Sequence, residues 1–228
     1  MENYVNVGMP VSLETHLLIA GETGSGKSVL MNALITEIFL QDPKNRLYLF
    51  DLKMVEFSRY KKIGIPVYTD INTMYKALKV LHNEMMMKYE KMSAAGIVND
   101  TKQNTYIFID EIAEITFHEN KEIAKKCISL VNSFARIGRA AGYHIITATQ
   151  YPTAKTVSMQ LKMNCQKLCL RCNSDIGYRV MLDKKMYDLR GRGDCIYIDN
   201  YGNVNRFQVI AATESYINEF ITECMKYI

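Results

Sequence analysis

The sequence predicts a three-layer α/β domain with a mostly parallel central sheet and an antiparallel C-terminal edge. Short apolar segments of strand length alternate with longer segments of helical period, which is typical of helices packed on both faces of a parallel sheet. Two final strand-like segments flank an Asn-Tyr-Gly-Asn turn and predict a hairpin. With 228 residues and 48% hydrophobic content, we expect one domain, residues 1–228.

The first half of the chain predicts three strands and two helices. A strand at THLLIAG precedes a helix at SVLMNALITEIFL, which Asp42 and Pro43 end. Strands at RLYLFD and VYTD come next. A long helix then runs from about Thr73 to Ala95, where Gly96 stops it.

The second half predicts the remaining strands and the last helices. TYIFIDE has four apolar residues before two carboxylates, as in a strand buried on both faces. A helix from about Glu119 to Arg136 leads to strands at YHIITATQ and KLCLRC. The hairpin at CIYIDNYGNVNRFQVIAA and an amphipathic helix from Glu214 complete the domain.

Features of secreted or membrane chains are missing from the sequence. No apolar run approaches the roughly 20 residues that span a bilayer, and the N-terminus does not resemble a signal peptide. Six cysteines without a dense framework are expected to be reduced thiols. We therefore expect a cytoplasmic location.

The segment GETGSGKS at residues 21–28 fits the phosphate-loop pattern G-x-x-x-x-G-K-[ST], between a predicted strand and helix. Its glycines let backbone N–H groups point at phosphates, and the helix N-terminus adds partial positive charge. Lys27 would reach the β- and γ-phosphates and Ser28 would ligate Mg²⁺. The residues predicted to bind nucleotide are Gly21, Glu22, Thr23, Gly24, Ser25, Gly26, Lys27, Ser28 and Val29.

Two carboxylates at a strand end predict the catalytic half of the site. Asp110 would hold the hydration shell of Mg²⁺, and Glu111 would polarise the attacking water as general base, which favours hydrolysis. Gln150 ends the next strand at the edge where ligands bind. It senses the γ-phosphate, orients the water, or is an ordinary strand end. The sequence has neither an Asn-Lys-x-Asp guanine motif nor a Leu-Ser-Gly-Gly transporter motif. We therefore expect ATP.

Charge is concentrated late in the chain. Residues 152–206 contain ten Lys and Arg and five Asp, whereas the whole chain has a net charge of +4. This segment predicts either a docking surface for a polyanion or a solvated basic face without a partner.

Three cysteines, Cys165, Cys169 and Cys172, have the C-x3-C-x2-C spacing of some iron–sulfur sites. Too little chain follows them for the barrel that such a cluster requires. We expect core packing instead, with Cys169 and Cys172 on opposite faces of one strand.

Five segments in order resemble the motor domain of the FtsK/SpoIIIE family of DNA translocases. They are HLLIAGETGSGKSVLMNALI, LFDLKMVEFSRY with Leu52 in place of a proline, IFIDEIAEI, RIGRAAGYHIITATQYP and RGRGDCIYI. The resemblance implies a RecA-like ATPase that forms a hexameric ring around double-stranded DNA. It also implies that Arg139 completes the neighbouring subunit's site, where a guanidinium stabilises charge on the γ-phosphoryl group. Arg136 is the weaker candidate.

The same resemblance places the DNA-facing loops after the strand that ends at Gln150. Lys162 matches a lysine there, and Lys155 lies in the same basic region; both would contact phosphates without reading sequence. Two departures affect these contacts: Tyr151 replaces the usual arginine, and Asp175 lies near where some members carry a second trans-acting lysine.

Two other functions stay open at this stage. One is a protein-export ATPase of the type VII secretion kind, and the other is an assembly module in which nucleotide promotes ring formation. Because the chain begins almost at the first predicted strand, we expect a minimal stand-alone motor or a domain excised from a longer protein. A partner that tethers the motor to a membrane or loads it onto DNA is also open.

Overall fold

Ten strands and seven helices form within residues 4–42, 44–183, 187–210 and 212–226, which the computed structural model describes. The strands are β1 (Tyr4–Asn6), β2 (Pro10–Ser12), β3 (His16–Ala20), β4 (Arg46–Phe50), β5 (Val67–Tyr68), β6 (Thr105–Ile109), β7 (Tyr143–Thr149), β8 (Cys165–Cys169), β9 (Asp194–Ile198) and β10 (Val204–Gln208). The helices are α1 (Lys27–Gln41), α2 (Ile71–Ala94), α3 (Ile112–Thr116), α4 (Lys121–Ile137), α5 (Met159–Asn164), α6 (Asp175–Leu182) and α7 (Glu214–Met225).

The central sheet has the order β10-β9-β8-β3-β7-β6-β4-β5. Strands β8, β3, β7, β6, β4 and β5 run parallel, and β9 pairs antiparallel with both β8 and β10. The predicted parallel sheet with an antiparallel C-terminal hairpin is therefore confirmed. Because the six parallel strands share one direction, their carboxyl ends meet at one edge of the sheet.

Two apolar cores lie on opposite faces of this sheet. Alternate residues of β3 divide between them, since Leu17 belongs to the core that contains α1 and α7, whereas Leu18 belongs to the core that contains α2 and α4. Both residues are fully buried. A strand buried on both faces shows no polar alternation, which explains its continuous apolar run.

Several elements differ from the sequence expectation. The antiparallel pair β1–β2 and the short helices α3, α5 and α6 were not predicted. Helix α1 ends at Gln41 with Asp42 as its C-cap, and Pro43 lies outside the described residues. Short segments escape periodicity arguments because they span too few residues for a pattern to repeat. In the described ranges, no helix is long and apolar enough to cross a bilayer.

The cysteine prediction was partly wrong. Strand β8 ends at Cys169, so Cys172 lies beyond it and is not on the opposite strand face. The two Sγ atoms are 3.8 Å apart in one apolar core, and this contact and burial raise the pKa of the Cys169 thiol. The cysteines are free thiols, and among residues with assigned positions no three or more His, Cys, Asp or Glu side chains are grouped so that they could hold a metal ion.

Candidate active site at the carboxyl edge of the sheet

The phosphate loop connects β3 to α1 in a turn that only glycine adopts easily. Gly24 and Gly26 have φ angles of 78° and 103°, and Gly26 is the N-cap of α1. A Cβ atom on Gly26 would lie 2.9 Å from the backbone nitrogen of Gly193. This close approach brings the C-terminal hairpin directly against the loop.

Lys27 and Asp110 form a buried ion pair across the site. The Lys27 Nζ lies 3.2 Å from Asp110 Oδ1 and 3.4 Å from its carbonyl oxygen, and both side chains are about 96–97% buried. Asp110 follows β6, which is separated from β3 by β7 alone. The fold thus joins the two predicted halves of the site.

Ser28 has a partner that the sequence did not suggest. Its hydroxyl donates a hydrogen bond to Glu56 Oε1 over 2.6 Å, and not to Asp110. Glu56 lies in the loop after β4, where Asp51 Oδ2 accepts hydrogen bonds from the backbone N–H groups of Glu56 and Phe57 at 2.8 and 3.0 Å. Glu56 lies inside LFDLKMVEFSRY, so the family resemblance could have singled it out.

The donors at this end of the site suit Mg²⁺. Ser28, Glu56 and Asp110 supply oxygen atoms, the ligands this hard cation prefers. Mg²⁺ commonly takes only one or two carboxylates and completes its shell with water and substrate phosphates.

Glu111 is held in a fixed orientation by backbone donors. Its Oε2 accepts a hydrogen bond of 2.8 Å from the N–H of Gln150, and its Oε1 accepts one of 3.3 Å from Ala113 as the N-cap of α3. Lys53 Nζ lies 3.7 Å from Oε2 and also 3.5 Å from Glu114. Lys53 was not predicted, and it places a second lysine at the carboxylate pair.

Gln150 follows β7 and contacts the phosphate loop. Its Oε1 accepts a hydrogen bond of 3.2 Å from the Thr23 hydroxyl. Gln150 therefore links Glu111 to the loop, because its backbone N–H binds Glu111 and its side chain binds Thr23. This arrangement can relay a change at the phosphates to the carboxylate.

A cavity of about 270 Å³ opens between these groups. Its lining residues are Glu22, Thr23, Gly24, Gly26, Lys27, Ser28, Val29, Glu56, Gln150 and Arg192. Gly21 and Ser25 do not line this cavity. A Cβ atom on Gly21 would lie 2.4 Å from the buried Ser25 hydroxyl, so these two residues pack against each other inside the loop. Arg192 was not predicted.

Arg139 lies elsewhere. It begins the 3-10 turn Arg139–Ala141, directly before β7, and lines a separate cavity of about 700 Å³ with Arg136 and Tyr89. The seven residues of β7 span roughly 20 Å between that end of the sheet and the phosphate loop. Neither arginine lines the nucleotide cavity of its own chain.

Five of the ten bases in the late basic segment form ion pairs. Ion pairs join Lys162 and Lys167 to Asp183, and the other pairs are Arg171–Glu22, Arg190–Asp188 and Arg206–Asp194. Lys155, Arg179 and Arg192 are exposed and form no ion pair within the described part of the chain. Lys184 and Lys185, counted in the sequence, lie outside the described residues.

Comparisons with known proteins agree with this geometry. The FtsK/SpoIIIE family profile matches residues 4–108. The DNA translocase FtsK of Helicobacter pylori J99 is 34% identical over 90% of this chain, and the DNA translocase SpoIIIE of Bacillus subtilis 168 is 31% identical over 80%. The chain spans only about a quarter, 26%, of the length of either relative.

Solved structures share the fold. The monomer form of the pCW3 conjugation coupling protein TcpA with ATPγS has a TM-score of 0.86 at 24% identity, over 98% of this chain and 71% of that one. EssC ATPases 2 and 3 of Geobacillus thermodenitrificans have a TM-score of 0.78 at 15% identity, over 96% and 44%. The phosphate loop, the Lys27–Asp110 pair and the profile match lead to one conclusion: the chain carries a P-loop ATPase domain similar to that of the FtsK/SpoIIIE family.

Proposed function

We propose that this chain is an ATP-hydrolysing motor that assembles as a ring and moves double-stranded DNA. The observation that carries the proposal is the buried Lys27–Asp110 pair with the oriented Glu111 beside it. The curated relatives that are 31–34% identical are DNA translocases, which supports the same activity here.

Hydrolysis needs a positioned water and a stabilised leaving phosphate. Glu111 would accept a proton from the water that attacks the γ-phosphorus, and the bond to the β-phosphate oxygen would break to leave ADP and phosphate. Lys27 and the loop N–H groups would hold the β- and γ-phosphates. Gln150 would orient the water or sense the γ-phosphate.

Ser28 and Asp110, with Glu56 beside Ser28, would hold Mg²⁺, which neutralises phosphate charge when bound. Lys27 would exchange part of its contact with Asp110 for the phosphates. This redistribution frees the Asp110 carboxylate for the hydration shell of the ion.

A ring explains where Arg139 lies. Because Arg139 is at the opposite end of β7 from the phosphate loop, it cannot reach its own nucleotide without rearrangement, yet a neighbouring copy could present it. Such an arginine raises the rate of phosphoryl transfer by roughly 10³–10⁵ in related systems. The hexameric state, and any loading or tethering partner, rest on the resemblance.

DNA-stimulated hydrolysis tests the function. ATP turnover should rise on addition of linear duplex DNA at low salt and fall back as salt increases, because the contacts are to phosphates. Absence of stimulation at every salt concentration would reject DNA and leave protein export, the function of type VII secretion ATPases, as the alternative. A cytoplasmic location stays a prediction from the sequence.

A further inference from the structure

One cation in the nucleotide cavity has no part in the function proposed above. Arg192 lines the cavity with Gly26 and Lys27, although it belongs to the segment that enters β9. Its exposed side chain forms no ion pair with any described residue. Arg190, two residues earlier, is paired with Asp188 over 2.5 Å.

The backbone of Arg192 is fastened to the phosphate loop. Gly193 N–H donates a hydrogen bond of 2.7 Å to the carbonyl oxygen of Ser25, and Gln208 Nε2 donates one of 2.7 Å to the carbonyl oxygen of Arg192. Gly191 and Gly193, on either side, both have φ angles of 81°. The turn that carries Arg192 is therefore built to lie against the loop.

Charge and position indicate the ligand. Among the charges in the cavity lining, Lys27 is paired with Asp110 and Glu22 with Arg171. Glu56 accepts a hydrogen bond from the Ser28 hydroxyl, so Arg192 is the lining cation that has no ion-pair partner among the described residues. Gly193 abuts Gly26, where phosphate loops hold the α- and β-phosphates on backbone N–H groups. The groups expected at the γ-phosphate, Glu111 and Gln150, follow β6 and β7 instead.

We propose that Arg192 binds the α- and β-phosphates of the nucleotide and sets the affinity for diphosphate and triphosphate alike. This inference rests on the proposed nucleotide site. A guanidinium pairs with phosphate through two parallel N–H donors, which a lysine cannot reproduce. Because the contact is the same before and during hydrolysis, its loss raises KM and leaves kcat unchanged.

The test compares Arg192→Ala with Arg192→Lys and with Arg190→Ala as a matched control, using the full chain. Fluorescent ADP and ATPγS binding with Mg²⁺ should weaken roughly tenfold in Arg192→Ala, as for one lost charge-assisted hydrogen bond. The nucleotide affinity of Arg192→Lys should lie between those of Arg192→Ala and the unaltered protein. The nucleotide affinity of Arg190→Ala should equal that of the unaltered protein. In Arg192→Ala the KM for ATP should rise by the same factor, with kcat within about twofold.

Three results of the nucleotide titrations and the stability measurement would each overturn the proposal. They are unchanged affinity in Arg192→Ala, a loss of ATPγS binding with ADP binding intact, and a loss matched by a lower thermal midpoint of the nucleotide-free protein. The affinity for pyrophosphate, measured by competition, should also fall by the same factor in Arg192→Ala. An unchanged pyrophosphate affinity would mean that Arg192 contacts the nucleotide base instead of the phosphates, which would also overturn the proposal. Lys27→Ala tests the nucleotide site independently of Arg192. If Lys27→Ala binds nucleotide normally, the proposed nucleotide site is wrong.

Discussion

The Glu111 carboxylate accepts a hydrogen bond from the backbone N–H of Gln150 over 2.8 Å, so the candidate base is oriented by the strand next to its own. The same Gln150 accepts a hydrogen bond from Thr23 of the phosphate loop. Base and loop are therefore linked through one residue. This link lets the position of Glu111 depend on what the loop holds.

Glu111→Gln should reduce ATP turnover about 10²–10⁴-fold, because an amide cannot take the proton from water. The amide retains an oxygen for the Gln150 N–H, so nucleotide affinity should stay within about twofold. Steady-state turnover and nucleotide titration measure the two effects. Full turnover in Glu111→Gln would favour the assembly module over any motor.

Arg139→Ala should abolish hydrolysis and preserve nucleotide binding, because the arginine would serve the neighbouring subunit. Mixing Arg139→Ala with Lys27→Ala chains should restore part of the turnover, since mixed interfaces pair an intact site with an intact arginine. Arg136→Ala is the matched control and should retain activity. If Arg139→Ala loses nucleotide binding, the arginine acts within its own subunit.

Glu56→Gln should raise the Mg²⁺ concentration needed for half-maximal turnover, by roughly tenfold or more, because the partner of the Ser28 hydroxyl loses its charge. Turnover at saturating Mg²⁺ should largely recover. Glu119→Gln, an exposed carboxylate between α3 and α4, is the control. An unchanged Mg²⁺ dependence in Glu56→Gln would separate Glu56 from the metal.

Lys155→Ala should weaken DNA stimulation more than Lys162→Ala. Lys155 is exposed without an ion pair to any described residue, whereas Lys162 lies 2.6 Å from Asp183 and must give up that pair to bind DNA. Each lost phosphate contact should reduce the salt slope of DNA affinity by about one. If the DNA affinity of Lys155→Ala depends on salt as steeply as that of the unaltered protein, Lys155 does not contact DNA.

The buried pair His16 and His144 predicts loss of stability in mild acid. Burial, with the charges of His144 and Arg139, lowers the pKa of His16 from 6.5 to about 3, and burial lowers that of His144 to about 4. Between these values and 6.5 the unfolded chain binds more protons, so the free energy of unfolding falls as pH drops.

Each histidine should cost roughly 2 kcal/mol of stability between pH 7 and pH 5. Urea unfolding at the two pH values measures the change, and His16→Gln should make it smaller. His118→Gln, at a half-buried position between α3 and α4, is the control. A free energy of unfolding that does not change between pH 7 and pH 5 would show that neither histidine is neutralised by folding.

The sequence by itself determined the parallel sheet, the phosphate loop and the acidic pair, because each depends on local order. Buried parallel strands are continuous apolar runs, and the loop needs its glycines and Lys27 at fixed spacing. Asp110 and Glu111 could be placed because they directly follow such a run. The short helices and the position of Cys172 could not be predicted from the sequence, because no repeating pattern marks them.

Tertiary structure decided which distant residues share the cavity. Glu56 joins Ser28 because Asp51 folds the loop after β4 toward α1. Arg192 reaches the phosphate loop because β9 and β10 extend the sheet beside β8. Strand order brings these segments together, and strand order follows from burying both sheet faces at once, which no single stretch of the sequence expresses.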